Sequence, residues 1–180
     1  MEQILLLQMD LKKEIRQVPD FPREGINFID ITTLLKNRKA FEEVVKLISK
    51  YFKDKGVTKV VGLESRGFIC GGAIACELNA GFVPIRKKGK LPSETYKETY
   101  ELEYGTDEVE IHTDALDEND VVLIHDDLLA TGGTAYAAMK LAKKMGVKQV
   151  YFSFICDLSF ISTPKKDEIF EFDTQILVEY

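Results

Sequence analysis

Cysteine is scarce in this chain: Cys70, Cys76 and Cys156 are the three present. Their odd number and the lack of any metal-type spacing speak against a disulfide framework or a zinc site. They fit reduced thiols in a cytosolic protein. An excess of positive charge is also missing. Lys and Arg number 24 against 30 Asp and Glu, a net charge of −6, so broad nucleic-acid binding is not expected and any anion site must be built locally. Long hydrophobic runs are wanting too. Ile4 to Leu7 is interrupted by Glu2, Asp10, Lys12 and Lys13, too short a stretch for a signal segment or a membrane span. Repeats and low-complexity tracts do not occur. What remains is 180 residues, 45% hydrophobic and 30% charged, the composition of one soluble domain of ordinary size.

Hydrophobic periodicity then divides the chain. Ile4, Leu7, Leu11 and Ile15 predict an amphipathic helix over 2–17, ended near Pro19. Prolines and a glycine keep 19–33 from being helical. Phe28 in that stretch is either a core plug or a platform on which a flat base could stack. Phe41, Val44, Val45, Ile48 and Phe52 predict a core-facing helix that stops at Gly56. Strands are expected over 57–63, 82–85, 121–125 and 147–155, with a short one around Val109 and Ile111. Helices fall between the long strands. Cys70 and Cys76 are small core residues of one, and Gly146 caps another.

This alternation predicts an α/β fold, a mostly parallel sheet flanked by helices. Ligands of such sheets bind beyond the carboxyl ends of the strands. The run 86–105 alternates Lys87, Lys88, Lys90 and Lys97 with Glu94, Glu98, Glu101 and Glu103. With few core anchors, it reads as a loop of about 20 residues, either solvated or a lid. His112 is expected at the surface, and His125 as a strand-end side chain that ligates nothing. Cys156, Asp157 and Leu158 follow the last long strand and could wall a pocket, while the tail 159–180 carries no assignable role.

The chemistry concentrates in Val121-Val-Leu-Ile-His-Asp-Asp-Leu-Leu-Ala-Thr-Gly-Gly-Thr134. A buried strand leads into Asp126 and Asp127, then a small-residue loop, then a helix start. Free N–H groups and the positive end of the helix dipole suit a phosphate, and glycines let the backbone come close. The carboxylates suit ribose hydroxyls or a magnesium shell. A second strand end carries Glu64-Ser-Arg-Gly-Phe68, where Arg66 could meet an anion or form a surface ion pair.

Residues 124–134 resemble the phosphoribosyl-pyrophosphate signature of the type I phosphoribosyltransferases. The wording Asp-Asp-Leu-Leu-Ala-Thr-Gly-Gly-Thr is close to the adenine-using branch. The resemblance runs through four blocks, 19–33, 62–68, 85–105 and 121–134. It implies that family's fold on a single domain over 1–180, comprising a hood segment 1–35, a core 36–158 and a tail 159–180, with a mobile catalytic loop over 86–105. It further implies that Phe28 stacks on adenine, with Asn27 and Ile29 as backbone contacts. Ile29 stands where that branch commonly has arginine. Arg66, Arg86 and Lys90 would hold pyrophosphate, and a non-proline cis bond is expected between Glu64 and Ser65.

By the same resemblance, Asp126 and Asp127 would hold the ribose hydroxyls, and Ala130, Thr131, Gly132, Gly133 and Thr134 the 5′-phosphate. Glu103 would sit by the adenine imidazole. Glu103, Arg66, Asp126 and Asp127 are the expected catalytic groups. Magnesium would be carried by substrate and water with no direct side-chain ligand, in a cytoplasmic homodimer free of nucleic-acid and membrane partners. The implied reaction joins adenine to 5-phosphoribosyl-1-pyrophosphate, giving AMP and pyrophosphate. Two alternatives stand beside it: a 6-oxopurine transferase, and a non-catalytic regulator that binds phosphoribosyl pyrophosphate. The acidic charge and the presence of Glu103 argue against the regulator.

Overall fold

The computed structural model describes residues 9–101 and 105–180. These fall into two compact units, divided between Val44 and Val45.

The first unit holds α1 (Leu11–Glu14), β1 (Arg16–Val18), β2 (Phe28–Asp30), α2 (Thr32–Lys36) and the start of α3 (Arg38–Phe52). Within the described residues, the helix expected over 2–17 covers only α1, and Arg16–Val18 is extended instead. The reason is tertiary: β1 pairs antiparallel with β2, setting Val18 opposite Phe28. Thr33 seals the join, since its hydroxyl donates to the Glu14 carbonyl at 2.7 Å and accepts from the Arg16 amide at 3.0 Å. Asp30 receives both the Thr32 side chain and the Arg16 guanidinium, which hold its pKa down at about 2. Ile29, Ile31 and Leu34 are buried.

The second unit is built on a seven-stranded sheet, in the order β5-β6-β4-β3-β7-β8-β9. Its strands are β3 (Lys59–Leu63), β4 (Gly81–Lys87), β5 (Thr95–Glu101), β6 (Thr106–His112), β7 (Val121–Leu129), β8 (Gln149–Asp157) and β9 (Thr174–Glu179). β4, β3, β7, β8 and β9 run parallel, while β6 is antiparallel to both β4 and β5. α4 (Gly67–Glu77) joins β3 to β4, and α5 (Gly133–Lys144) joins β7 to β8. These crossovers leave in opposite directions along the sheet, so their right-handedness puts the two helices on opposite faces. Covered on both faces, β7 and β8 are nearly continuous apolar runs, with Val122, Leu123, Ile124, Phe152 and Phe154 all buried.

Two stretches differ from the sequence reading. The segment 86–105, expected as a loop, contains β5, which pairs with β6 along its length. Tyr100, Val109 and Ile111 are buried there, and the alternation of charge with single apolar residues is that of a strand with one face covered. The tail, left without a role, forms α6 (Pro164–Phe170) and the edge strand β9.

Candidate active site at the carboxyl edge of the sheet

β3, β4 and β7 end along one edge, which carries Glu64, Arg66, Arg86, Asp126 and Asp127. After β3 the chain turns through a cis peptide bond between Glu64 and Ser65, at the expected position. It then enters α4 behind Arg66. A Cβ at Gly67 would stand 2.8 Å from Asp126 Oδ1 and 2.9 Å from the His125 carbonyl oxygen. Glycine is therefore what lets the start of α4 lie against the acidic end of β7.

That approach brings Arg66 to Asp127. The guanidinium Nε donates to Oδ2 at 2.6 Å, with Asp127 almost fully buried and Arg66 about a third exposed. β7 extends further than expected, to Leu129, so both carboxylates belong to the strand. Burial, then the neighbouring Asp127 charge, raises the Asp126 pKa well above its ordinary value. Asp126 Oδ1 also accepts the Asp127 amide at 2.9 Å. Burial followed by the Asp127 charge pushes the nearby Cys70 thiol up to about 12, so it stays protonated and inert.

Beyond the acidic pair, residues 130–134 form the loop into α5. Gly132 caps that helix with φ +78°, a backbone conformation that glycine adopts without strain. Asp126, Leu128, Phe154 and the loop line a cleft of about 80 Å³. The first N–H groups of α5 and its positive dipole end lie at this loop, a ready setting for an anion.

Glu64 organises the third strand end, a role the sequence reading missed. Its carboxylate accepts the Lys87 amide at 2.9 Å and Arg86 Nη2 at 3.4 Å, and it pairs with the Lys90 ammonium. Burial pushes the Glu64 carboxyl up, but Lys90, the Lys87 amide and Arg86 outweigh it, so its pKa lies below the ordinary value. Two of the three cations expected at pyrophosphate, Arg86 and Lys90, thus share one carboxylate. The available signal was a carboxylate next to Arg66 at the end of the strand 57–63.

Other residues are differently placed. In the first unit, Phe28 is partly exposed and meets Phe21 edge-on at 5.2 Å. There too, the Asn27 amide donates to Gln17 at 2.7 Å, and the Ile29 side chain is buried. Glu103 lies outside the described residues. His125 is not a strand-end side chain but a fully buried mid-strand one, with Nδ1 2.8 Å from Ser153 Oγ. Burial lowers its pKa to about 4, so the ring is neutral. Cys156 and Asp157 are buried, and Asp157 is engaged by Lys166.

A parallel sheet with an acidic pair and a glycine-capped helix start at one edge defines a phosphoribosyltransferase-type domain, and the family described as a phosphoribosyl transferase domain matches residues 30–171. The chain is 57% identical over 155 residues to an adenine phosphoribosyltransferase of Bacteroides thetaiotaomicron, covering 86% of this chain and 88% of that one. Its structure is similar to that of the Rhodothermus marinus adenine phosphoribosyltransferase, with TM-score 0.87, 44% identity and 94% and 96% of the two chains covered. It is also similar to the Saccharomyces cerevisiae enzyme complexed with an imino-altritol bisphosphate and adenine, with TM-score 0.85, 37% identity and 93% and 96% covered. The chain belongs to the adenine phosphoribosyltransferase family.

Proposed function

We infer that this protein transfers the 5-phosphoribosyl group of 5-phosphoribosyl-1-pyrophosphate to N9 of adenine, giving AMP and pyrophosphate in purine salvage. The observation that carries this reading is the Arg66–Asp127 contact at 2.6 Å, beside the glycine loop. It joins a cation suited to a departing anion to a carboxylate suited to a ribose.

The 5′-phosphate sits on residues 130–134, held by the N–H groups at the start of α5. Asp126 and Asp127 hold the 2′- and 3′-hydroxyls. As the bond from C1′ to pyrophosphate lengthens, positive charge grows on the ribose ring, and the Asp127 carboxylate stabilises it. Arg66, Arg86 and Lys90 take up the charge of the leaving pyrophosphate, the last two by exchanging Glu64 for phosphate oxygens. Adenine stacks on Phe28, with the backbone of Asn27 and Ile29 reading its edge. Glu103 holds the imidazole proton as N9 attacks C1′.

No group of three His, Cys, Asp or Glu that could hold a metal occurs among the described residues. The oxygen donors at the edge, Asp126 and Asp127, fit a magnesium ion carried by substrate oxygens and water. When bound, that ion neutralises pyrophosphate charge.

Membership in the family favours adenine over 6-oxopurines. The test is direct: incubate the protein with phosphoribosyl pyrophosphate, magnesium and equimolar adenine, hypoxanthine and guanine. AMP is the expected product, and IMP or GMP in its place would overturn the base assignment. The working form is a cytoplasmic homodimer. Exposed Ile69 and Phe82 support the dimer, and three cysteines outside any disulfide support the compartment. Light scattering at twice the chain mass is the expected result for the dimer.

A further inference from the structure

The C-terminal segment carries a buried ion pair that the proposed reaction does not use. Lys166, in α6, is 3% exposed, and Asp157, at the end of β8, is 4% exposed. The Lys166 ammonium lies 2.6 Å from Asp157 Oδ1 and donates to the carbonyls of Leu158 at 2.7 Å and Ile161 at 3.1 Å. Burying two charges costs desolvation that their attraction often fails to recover, and well-packed apolar residues would be at least as stable. Stability alone is therefore a weak reason for the pair.

Its position supplies a better one. The ammonium ties down the turn 158–161, which delivers Thr163 to the anion loop. The Thr163 hydroxyl donates to the Thr131 carbonyl at 2.7 Å and accepts the Lys166 amide at 3.2 Å. Lys166 then stands over the loop: its N and Cα would each lie 3.3 Å from a Cβ at Gly132, and Ile169 Cδ1 3.2 Å. α6 meets the loop from outside the cleft, whose lining comes from β7, β8, the loop and the start of α5. A left-handed Gly132 with a neighbouring carbonyl held by hydrogen bond is a loop set in shape before any ligand arrives.

We propose that Asp157, Lys166 and Thr163 are positioning residues for the anion loop, the buried pair anchoring the turn from which Thr163 and α6 hold Thr131 and Gly132 in the shape that takes the 5′-phosphate. This rests on the reading of residues 130–134 as the phosphate site.

Three variants test it: Thr163→Val, the double variant Asp157→Asn/Lys166→Met, and Thr134→Val within the loop. The double variant removes both charges, so no lone ion is left buried. Titration with ribose 5-phosphate and steady-state kinetics are the readouts, with melting temperature as control. Thr163→Val should raise the Kd for ribose 5-phosphate and the KM for phosphoribosyl pyrophosphate about tenfold, and the double variant roughly thirtyfold, with kcat and the KM for adenine changed less than about threefold. A merely structural pair lowers the melting temperature and leaves these constants alone. That result, with Thr134→Val still weakening ribose 5-phosphate binding, overturns the positioning role and leaves the loop assignment standing. Ribose 5-phosphate that does not bind the unmodified protein, or binds Thr134→Val equally well, overturns the loop assignment and the positioning role together. Should the double variant not fold, the result for Thr163→Val decides.

Discussion

The parallel half of the sheet and its antiparallel wing are stabilised by different mixtures of force. In β7 and β8 the contacts are apolar and close-packed: Ile124, Phe152 and Phe154 are buried, and the last two rings stack at 6.1 Å. β5 and β6 bury Tyr100, Val109 and Ile111 on one face and add ion pairs around it. Lys97 meets Glu110 at 3.1 Å, Lys87 pairs with Asp107 and Tyr100, and Lys140 of α5 reaches across to Glu98. Burial is non-directional and is not screened by salt, whereas exposed ion pairs are exchangeable and screened. The candidate site draws on both. The anion loop and acidic pair belong to the apolar half, where geometry is set in advance. Arg86 and Lys90 stand where β4 meets the wing, held by the Glu64 carboxylate.

Substitutions should sort the two regions by size of effect. Phe152→Ala in the parallel half should cost about 3–5 kcal/mol in urea unfolding, the usual cost of deleting a buried aromatic. A loss under about 1 kcal/mol would remove the contrast. His125 probes the same half through pH. Its folded pKa, about 4, lies below the unfolded value, so it contributes stability that is complete above about pH 6.5 and lost as pH falls through 4. Unfolding measured at pH 7.5, 5.5 and 4 should show roughly 3 kcal/mol more acid loss than in a His125→Leu/Ser153→Ala variant. Parallel pH curves would mean that the ring titrates normally.

On the proposed reading, activity depends on the edge where the two regions meet. Asp127→Ala should lower kcat/KM by on the order of 100-fold or more, about 2.7 kcal/mol of transition-state stabilisation. The Arg66 it leaves behind is exposed enough to be hydrated, so the melting temperature should move little. Unchanged kinetics would remove the ribose assignment. Smallest of all, Glu98→Gln in the wing should cost no more than about 1 kcal/mol, and the difference should vanish in 1 M salt. A salt-independent loss would show that the wing is held as the parallel half is.

Much of this was legible in the residues. The runs at 57–63, 121–125 and 147–155 announce strands because a strand covered on both faces must be apolar throughout. The pattern Asp-Asp then Thr-Gly-Gly-Thr marks an anion loop, since only small residues permit close backbone approach. Other features could not be read locally. Residues 16–18 follow a helical period yet form a strand, because pairing with β2 outweighs propensity. β5 looks like a solvated loop until Tyr100 has a core to enter. Glu64 has no visible partner until β3 and β4 lie side by side.

Sequence alone thus determined the alternating architecture and the groups proposed for a sugar phosphate, because periodicity and short-range motifs are local properties of a chain. Tertiary structure decided which of those groups meet. It set Arg66 on Asp127, gathered Arg86 and Lys90 on Glu64, and buried Lys166 with Asp157 behind the anion loop. Each of these contacts joins residues brought together by strand order and helix packing, which no local pattern encodes.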